Sequence, residues 1–250
     1  SSYWTEYIGN EAIFSPRLAI LRQLGTHQSI VAKMAHGYSP PSISEMRPST
    51  GVINTSLKAE KGWNHEITYR GKYSKFNWDV SVYQFNLDET IVVRRAADGS
   101  DYFVNAGSTT QQGLELSTNW FLTPQLQIEQ ATTWQNFRFA NGNFLTGTSP
   151  FQQSTSLLWK HPSGLRFTQN FQFVDYQFLT DANTEQMGSY RLWNTKISYP
   201  LKKWTLWATV DNLGDERYSS GPDLNATGGR YYNPSPGRNF HIGLQLNLAY

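Results

Sequence analysis

The chain has 250 residues, a formal net charge of +2 and no cysteine. So balanced a charge excludes a whole-molecule field that would gather nucleic acid, and the absent thiols exclude disulfides and thiolate metal sites. Aromatic residues make up 15% of the chain. No run of about 18 apolar residues occurs, which excludes a transmembrane helix but not a membrane barrel, where only alternate side chains meet lipid.

The first stretch, "SSYWTEYIGN", lacks the basic-then-apolar order of a secretory signal. Either a leader has been removed or the chain begins partway into a longer protein. Strict period-two alternation then recurs. In Phe76–Val82 the apolar Phe76, Trp78, Val80 and Val82 alternate with Asn77, Asp79 and Ser81. Leu114, Leu116 and Trp120 oppose Glu115, Ser117 and Asn119. Phe167, Phe171 and Phe173 oppose Arg166, Thr168, Asn170 and Gln172. Trp204, Leu206, Ala208 and Val210 oppose Thr205, Trp207 and Thr209. The final Phe240–Tyr250 keeps the same rhythm, with Phe240, Ile242, Leu244, Leu246, Leu248 and Tyr250 on one face. Such segments are strands with one apolar and one wet face. Arg, Asp and Glu on the second face would be costly in a sandwich core but suit a water-filled lumen.

The connections alternate as well. Short turns are expected at Gly25–Gln28, Gly71–Lys75, Leu122–Gln125, His161–Gly164 and Pro200–Lys203. Longer polar segments fall at about Ser39–Glu60, Ala96–Asp101, Arg138–Pro150, Thr180–Gly188 and Gly214–Pro236. Short turns at one end and long loops at the other define about eleven strands, most near the ~9–11 residues that cross a bilayer. No helical period of consequence, internal repeat or low-complexity linker is present. With a periplasmic C-terminus, an odd count makes Ser1–Phe14 an extracellular loop and the chain the second part of a larger barrel.

Catalytic and metal motifs are not expected. His65-Glu66 has no second histidine at zinc-protease spacing, and the five histidines are scattered. The Asp211–Glu216 stretch lacks the alternating oxygen ligands of a calcium loop and reads as a solvated turn. In "PSPGR" (Pro234–Arg238), Gly237 is expected to supply a bend and Arg238 to pair with a lumen carboxylate.

Six phrases in order carry a family resemblance: "FSPRLAI" (Phe14–Ile20), "GYSPPSISEM" (Gly37–Met46), "LKAEKGWNHEI" (Leu57–Ile67), "NAGSTTQQGLEL" (Asn105–Leu116), "VDNLGDERY" (Val210–Tyr218) and "YYNPSPGRNF" (Tyr231–Phe240). Together they resemble the C-terminal half of the barrel of a TonB-dependent outer-membrane receptor of the siderophore type. The resemblance implies an all-β, antiparallel transmembrane barrel, with residues 1–250 supplying about eleven strands of a barrel of about 22. The plug domain and the first half of the barrel are then absent from this chain. It further implies a bacterial outer-membrane location and the import of a scarce nutrient, most often a ferric siderophore, with no enzymatic activity and no cofactor. The implied partners are the TonB–ExbB–ExbD complex, reached through the plug segment, the outer-membrane assembly machinery, the lipid bilayer and a ferric chelate; nucleic acid is not among them. The rival functions are a soluble all-β ligand-binding module and a passive outer-membrane pore.

With the long loops outside, their cations and aromatics become candidate ligand contacts: Tyr38, Arg47, Trp63, Arg94, Arg95, Arg138, Tyr176, Tyr218, Arg230, Tyr231 and Tyr232. Arginine charge and aromatic faces would hold an anionic iron chelate without a protein–metal bond. Arg47, Arg230 and Tyr231 stand out because they lie well inside the two longest loops, while interfacial anchoring is the competing role for the aromatics. Gly243, Leu246, Leu248 and Tyr250 resemble the terminal signal read by the assembly machinery.

Overall fold

A computed structural model describes residues 14–47 and 53–246. Its strands are β1 (Arg17–Gln23), β2 (Gln28–Ser39), β3 (Glu60–Lys72), β4 (Phe76–Asp88), β5 (Ile91–Arg95), β6 (Asp101–Asn105), β7 (Thr109–Phe121), β8 (Leu126–Phe139), β9 (Phe151–Lys160), β10 (Arg166–Val174), β11 (Gln177–Phe178), β12 (Gln186–Met187), β13 (Tyr190–Leu201), β14 (Trp204–Asp211) and β15 (Asn239–Leu246). Eleven of them form one antiparallel sheet in the order β1-β2-β3-β4-β7-β8-β9-β10-β13-β14-β15. Every strand of that sheet pairs with the next one along the chain, so the sheet is an unbroken meander.

Turn chemistry fixes the short ends. Between β9 and β10 the chain reverses at Gly164, whose φ of +92° needs glycine and whose N–H donates to the His161 carbonyl at 2.9 Å. At the opposite end lie the long connections β2–β3, β4–β7, β8–β9, β10–β13 and β14–β15. β3, β4 and β7 each have 13 residues. At ~3.3 Å per residue that is ~43 Å, enough to cross a ~30 Å hydrocarbon layer on a tilt.

The pairing sorts side chains into two unlike faces. Val80 lies opposite Leu116 and Val82 opposite Leu114. Leu206 lies opposite Leu244, and Ala208 opposite Ile242. No element among the described residues covers this apolar face: Leu18 is 62% exposed and Ile242 80%. A soluble sandwich would bury it against a second sheet.

The other face is polar, and many of its charges are paired. Lys33 Nζ meets Glu66 Oε1 at 2.7 Å, and Arg70 pairs with Asp79 across β3 and β4. Gln127 Nε2 donates to both Asn119 Oδ1 (3.0 Å) and Glu129 Oε1 (2.7 Å). Trp207, the aromatic on this face of β14, lies over Gly243 of β15. A Cβ on Gly243 would sit 2.2 Å from the Trp207 ring.

The long connections contain more structure than periodicity announces. The run expected to break only at Ala96–Asp101 is a separate hairpin, β5–β6, which leaves the main sheet at Asp88. Within the β2–β3 loop a single helical turn, α1 (Ile43–Met46), is started by a capping box. There Ser42 Oγ accepts from the Glu45 N–H, and Glu45 reaches back to the Ser42 N–H at 2.6 Å.

The Asp211–Glu216 stretch also differs from a solvated turn. Asn212 is buried at 3% exposure with φ +51°. Its Oδ1 accepts from the Glu216 N–H (2.8 Å), its Nδ2 donates to the Glu216 carbonyl (2.9 Å), and its own N–H reaches Asn194 Oδ1 (2.8 Å). The side chain is therefore the pivot on which the last loop leaves β14. Gly237 keeps an ordinary φ and is small because Asp215 Oδ1 comes within 3.0 Å of where a Cβ would be. That carboxylate accepts the Arg238 backbone N–H at 2.9 Å, so Asp215 fixes the start of β15 through the main chain of Arg238.

Candidate functional site

The five long loops meet over the polar face. β10 and β13 turn Val174, Tyr190 and Leu192 to that face near their loop ends, and Leu179 and Met187 of the connecting loop close on them. Leu179 is fully buried, and Tyr218, Leu224 and Tyr231 of the β14–β15 loop pack against the same cluster. Hydrophobic burial, scarce elsewhere in the sheet, is spent here on docking one loop to another.

Beside the cluster lies a polar knot centred on Asp181. Its carboxylate pairs with Arg94 of β5, within the β4–β7 connection, and accepts from Thr146 Oγ1 of the β8–β9 loop. Its N–H donates to Asn225 Oδ1 (3.0 Å), and its carbonyl accepts from Asn143 Nδ2 (2.8 Å). Asn225 Nδ2 also reaches the Val93 carbonyl at 3.3 Å. Asn183, at φ +57°, clamps Phe144 by accepting its N–H (2.6 Å) and donating to its carbonyl (3.0 Å). Four loops are joined through these three residues. The β2–β3 loop joins them through the β5–β6 hairpin, where Asn105 exchanges hydrogen bonds with Lys58 and Asn54 Nδ2 donates to the Phe103 carbonyl.

Between the β10–β13 and β14–β15 loops opens a cleft of about 630 Å³, bordered by Met187, Tyr190, Asp215, Glu216, Arg217, Tyr218 and Tyr232. The Tyr190 and Tyr218 rings meet on one side, centroids 5.0 Å apart and planes tilted by 36°. Tyr232 is 54% exposed and donates its hydroxyl to the Gln186 carbonyl at 3.1 Å.

The expected contact residues separate into groups. Tyr218, Tyr231 and Tyr232 come together, Tyr231 inside the cluster and the other two on the cleft. Arg230 is exposed at the end of the 3-10 turn Thr227–Gly229, next to Tyr231. Arg47 is exposed at the C-cap of α1. Arg94 is tied into the knot, and Arg95 ends β5. Tyr176 sets its ring edge-on to Phe178 at 5.8 Å.

Three of the set stand on the apolar side of the sheet. Tyr38 lies opposite Lys61, in line with His36 and Met34. Trp63 lies opposite His36, with its ring 5.0 Å from that imidazole. Arg138 shares a face with Trp134, donates to Asn136 Oδ1 (2.8 Å) and the Gly142 carbonyl (2.6 Å), and covers the Phe144 ring at 3.9 Å. In the terminal set, Gly243 is held under Trp207 and Leu246 lies opposite Trp204 on the apolar face. Leu248 and Tyr250 lie outside the described residues, as does all of Ser1–Phe14 except Phe14.

Asp181, Asn183 and Asn225 are the organising residues that the alternation pattern passes over. Asn183 and Asn225 have positive φ, a trait of Asn in turns, but their partners are as far as 132 residues away. Among the described residues no group of three or more His, Cys, Asp or Glu side chains is placed to hold a metal ion.

An uncovered apolar face, a wet face of paired charges and long loops gathered at one end define the wall of an antiparallel β-barrel. The comparisons narrow this class. Residues 2–213 match the family described as TonB dependent receptor-like, beta-barrel. The chain belongs to that family, whose barrels are outer-membrane transport proteins. The chain is 23% identical over 215 residues to the vitamin B12 transporter BtuB of Vibrio vulnificus (strain CMCP6), covering 84% of this chain and 34% of the relative. It thus spans about a third of that curated relative's length.

Among solved structures, the copper transporter OprC superposes with a TM-score of 0.77 at 16% identity, covering 93% of this chain and 39% of that one. A mutant of the ferric enterobactin receptor PfeA from Pseudomonas aeruginosa, in complex with enterobactin, gives 0.76 at 19% identity, covering 96% and 41%. The ferric yersiniabactin uptake receptor FyuA from Yersinia pestis gives 0.75 at 18% identity, covering 91% and 36%. At these identities the likeness is one of fold.

Proposed function

We propose that this chain forms part of the wall and outer mouth of a bacterial outer-membrane receptor that imports a scarce nutrient, most favourably a ferric siderophore. The observation that carries the reading is the one-sidedness of the sheet: an apolar face without protein cover, a charged face opposite, and every long loop drawn over the charged face. Lipid covers the first face, water and the rest of the receptor fill the second, and ligand is met at the loops. The similar proteins are named for vitamin B12, copper and ferric chelates, so the wall serves several cargoes and the loops set the choice.

Arg230, Tyr231 and Tyr232 are the first contacts in this reading, with Arg47 of the β2–β3 loop as a further one. Arg230 supplies charge to an anionic chelate, and the tyrosines supply flat apolar surface with a polar tip. Tyr38 and Arg138, held on the apolar side, contribute less. Transport draws on the TonB–ExbB–ExbD complex through a plug carried by the parts of the receptor outside these 250 residues, and insertion uses the outer-membrane assembly machinery acting on the Gly243–Tyr250 end.

The test is ligand binding by the full-length receptor in detergent, followed by intrinsic fluorescence. The double variant Arg230→Ala/Tyr232→Ala should bind a ferric siderophore about tenfold more weakly, ~1.4 kcal/mol, with unchanged heat stability. A parent protein that binds no ferric siderophore, or a double variant with the parent's Kd, would overturn the assignment.

A further inference from the structure

We infer that the short-turn end of this barrel is an electrostatic docking surface for anionic phospholipid headgroups of the leaflet it faces. The inference rests on the reading of the apolar face as lipid-facing. Taken from the last residue of one strand to the first of the next, the five short turns are 23–28, 72–76, 121–126, 160–166 and 201–204. They contain Lys72, Lys75, Lys160, Arg166, Lys202 and Lys203, and neither Asp nor Glu. The cations come two to a turn, at β3–β4, β9–β10 and β13–β14. The long connections mix both signs, and there Lys58 meets Glu89 at 3.0 Å and Arg94 pairs with Asp181.

No acid among the described residues offsets the pairs. All six residues are exposed, and none forms an ion pair among the described residues. Arg166 lies directly opposite Lys160, and Lys202 adjoins Lys203. Like charges so placed repel, and an anion from outside these residues relieves the repulsion.

Aromatic residues set the height of the cations. Trp78, Trp159 and Trp204 stand within three residues of the short-turn ends of β4, β9 and β14. Tyr73 in the β3–β4 turn stacks on Trp78 at 5.6 Å, and Trp159 meets His161 at 5.4 Å. Such girdles mark the edge of the hydrocarbon layer, so the turns just beyond them lie among the headgroups. Lys72, Lys160 and Arg166 end their strands in the lumen phase, shared with Arg70, Leu158 and Thr168, and add to the field from the mouth. Lipid contact falls to Lys75, Lys202 and Lys203 in the turns themselves. Arg22 joins them from the lipid phase of β1, which it shares with Leu18 and Ile20.

The spread of the cations favours a leaflet over a folded partner. A protein interface needs a continuous patch with an apolar centre. Here the three pairs are separated by ~19 Å and ~10 Å of sheet at ~4.8 Å per strand, and the β7–β8 turn between the first two has no charge. A leaflet bearing anionic phospholipid meets every pair at once, and each Lys or Arg near such a surface is drawn to it.

The test compares spin-labelled phosphatidylglycerol with spin-labelled phosphatidylcholine in the full-length receptor, reconstituted in phosphatidylcholine vesicles. Electron paramagnetic resonance gives the fraction of each lipid immobilised against the protein, and hence a relative association constant. Phosphatidylglycerol should be preferred about fivefold at low salt, a preference that declines as salt rises. Arg22→Gln/Lys75→Gln/Lys202→Gln/Lys203→Gln should remove about half of that preference or more. Lys58→Gln/Lys61→Gln should keep it, because at the opposite end Glu89 pairs with Lys58 and Asp88 lies opposite Lys61. A quadruple variant with the parent's preference, an equal loss in both variants, or a preference indifferent to salt overturns the proposal. No preference in the parent also overturns it and leaves the rim to an acidic protein. The immobilised fraction reports separately on the underlying reading. No immobilised lipid of either kind would show that the apolar face is not in a bilayer and remove both claims, whereas immobilised lipid without preference removes only the headgroup docking.

Discussion

Gly243 shows how a single position acquires its identity. In the sequence it is a glycine in the wet phase of an alternating strand, which marks it as special without giving the reason. The reason comes from register: β14 sets Trp207 directly across, and the ring occupies the volume a side chain would take. Gly243→Val should displace the ring and cost about 1–3 kcal/mol, the usual penalty of overpacking. Urea unfolding of the full-length receptor in detergent measures this, and Trp207→Ala added to the variant should recover most of the loss. An unchanged midpoint for Gly243→Val would show that the ring is not fixed there. A second residue-scale expectation concerns Asp98 at the tip of the β5–β6 hairpin. Ser100 donates to its carboxylate through Oγ (2.6 Å) and N–H (2.9 Å), holding Asp98 below the ordinary aspartate value. A depressed folded-state value stabilises the tip above the ordinary pKa, a contribution lost as pH falls through the folded value. Ser100→Ala should return the Asp98 titration, followed by carboxylate NMR, toward the ordinary range; an unmoved curve would remove Ser100 as the cause.

At the scale of elements, the strands of the main sheet were readable because period-two alternation is dictated by the pleat and needs no partner to be seen. Trp204–Val210 and Phe76–Val82 keep the faces assigned from sequence. The β5–β6 hairpin was hidden because "IVVRR" prolongs an apolar run, although Asp98-Gly99, with Gly99 at φ +86°, is a hairpin turn signal. The "SISE" capping box likewise signalled α1. The Asp181 knot had no local signal, since its bonds join segments 35 to 132 residues apart. Those long spans make the loops one cooperative unit, and that can be tested. Asp181→Ala leaves Arg94 without its carboxylate, at a cost of about 1–3 kcal/mol. Amide exchange should accelerate together at Phe144, Gly147 and Asn225, while β7 and β8 stay protected. Acceleration confined to the β10–β13 loop would mean that the loops are independent.

For the whole molecule, the sheet itself poses the remaining demand. β1 and β15 end the eleven-strand order, and among the described residues neither has a second neighbour. In water an edge strand is a hazard of aggregation; in lipid it is a row of amides and carbonyls with nothing to bond. The apolar face of β1 and β15, with Leu18, Ile20, Ile242 and Leu244 all more than half exposed, continues that of the central strands. Both edges are therefore built for the hydrocarbon layer and must be paired there. Relatives more than twice as long as this chain supply the material: 34% of BtuB and 41% of the PfeA mutant are covered. The full-length receptor in detergent should then protect the β1 and β15 amides that do not bond to β2 or β14 as strongly as those of β7. Hydrogen exchange resolved by residue distinguishes the cases, because an open edge leaves alternate amides exchanging at loop-like rates while their neighbours stay slow. Such alternation along both strands would mean that the sheet stands unclosed, and the barrel-wall reading would fall with it.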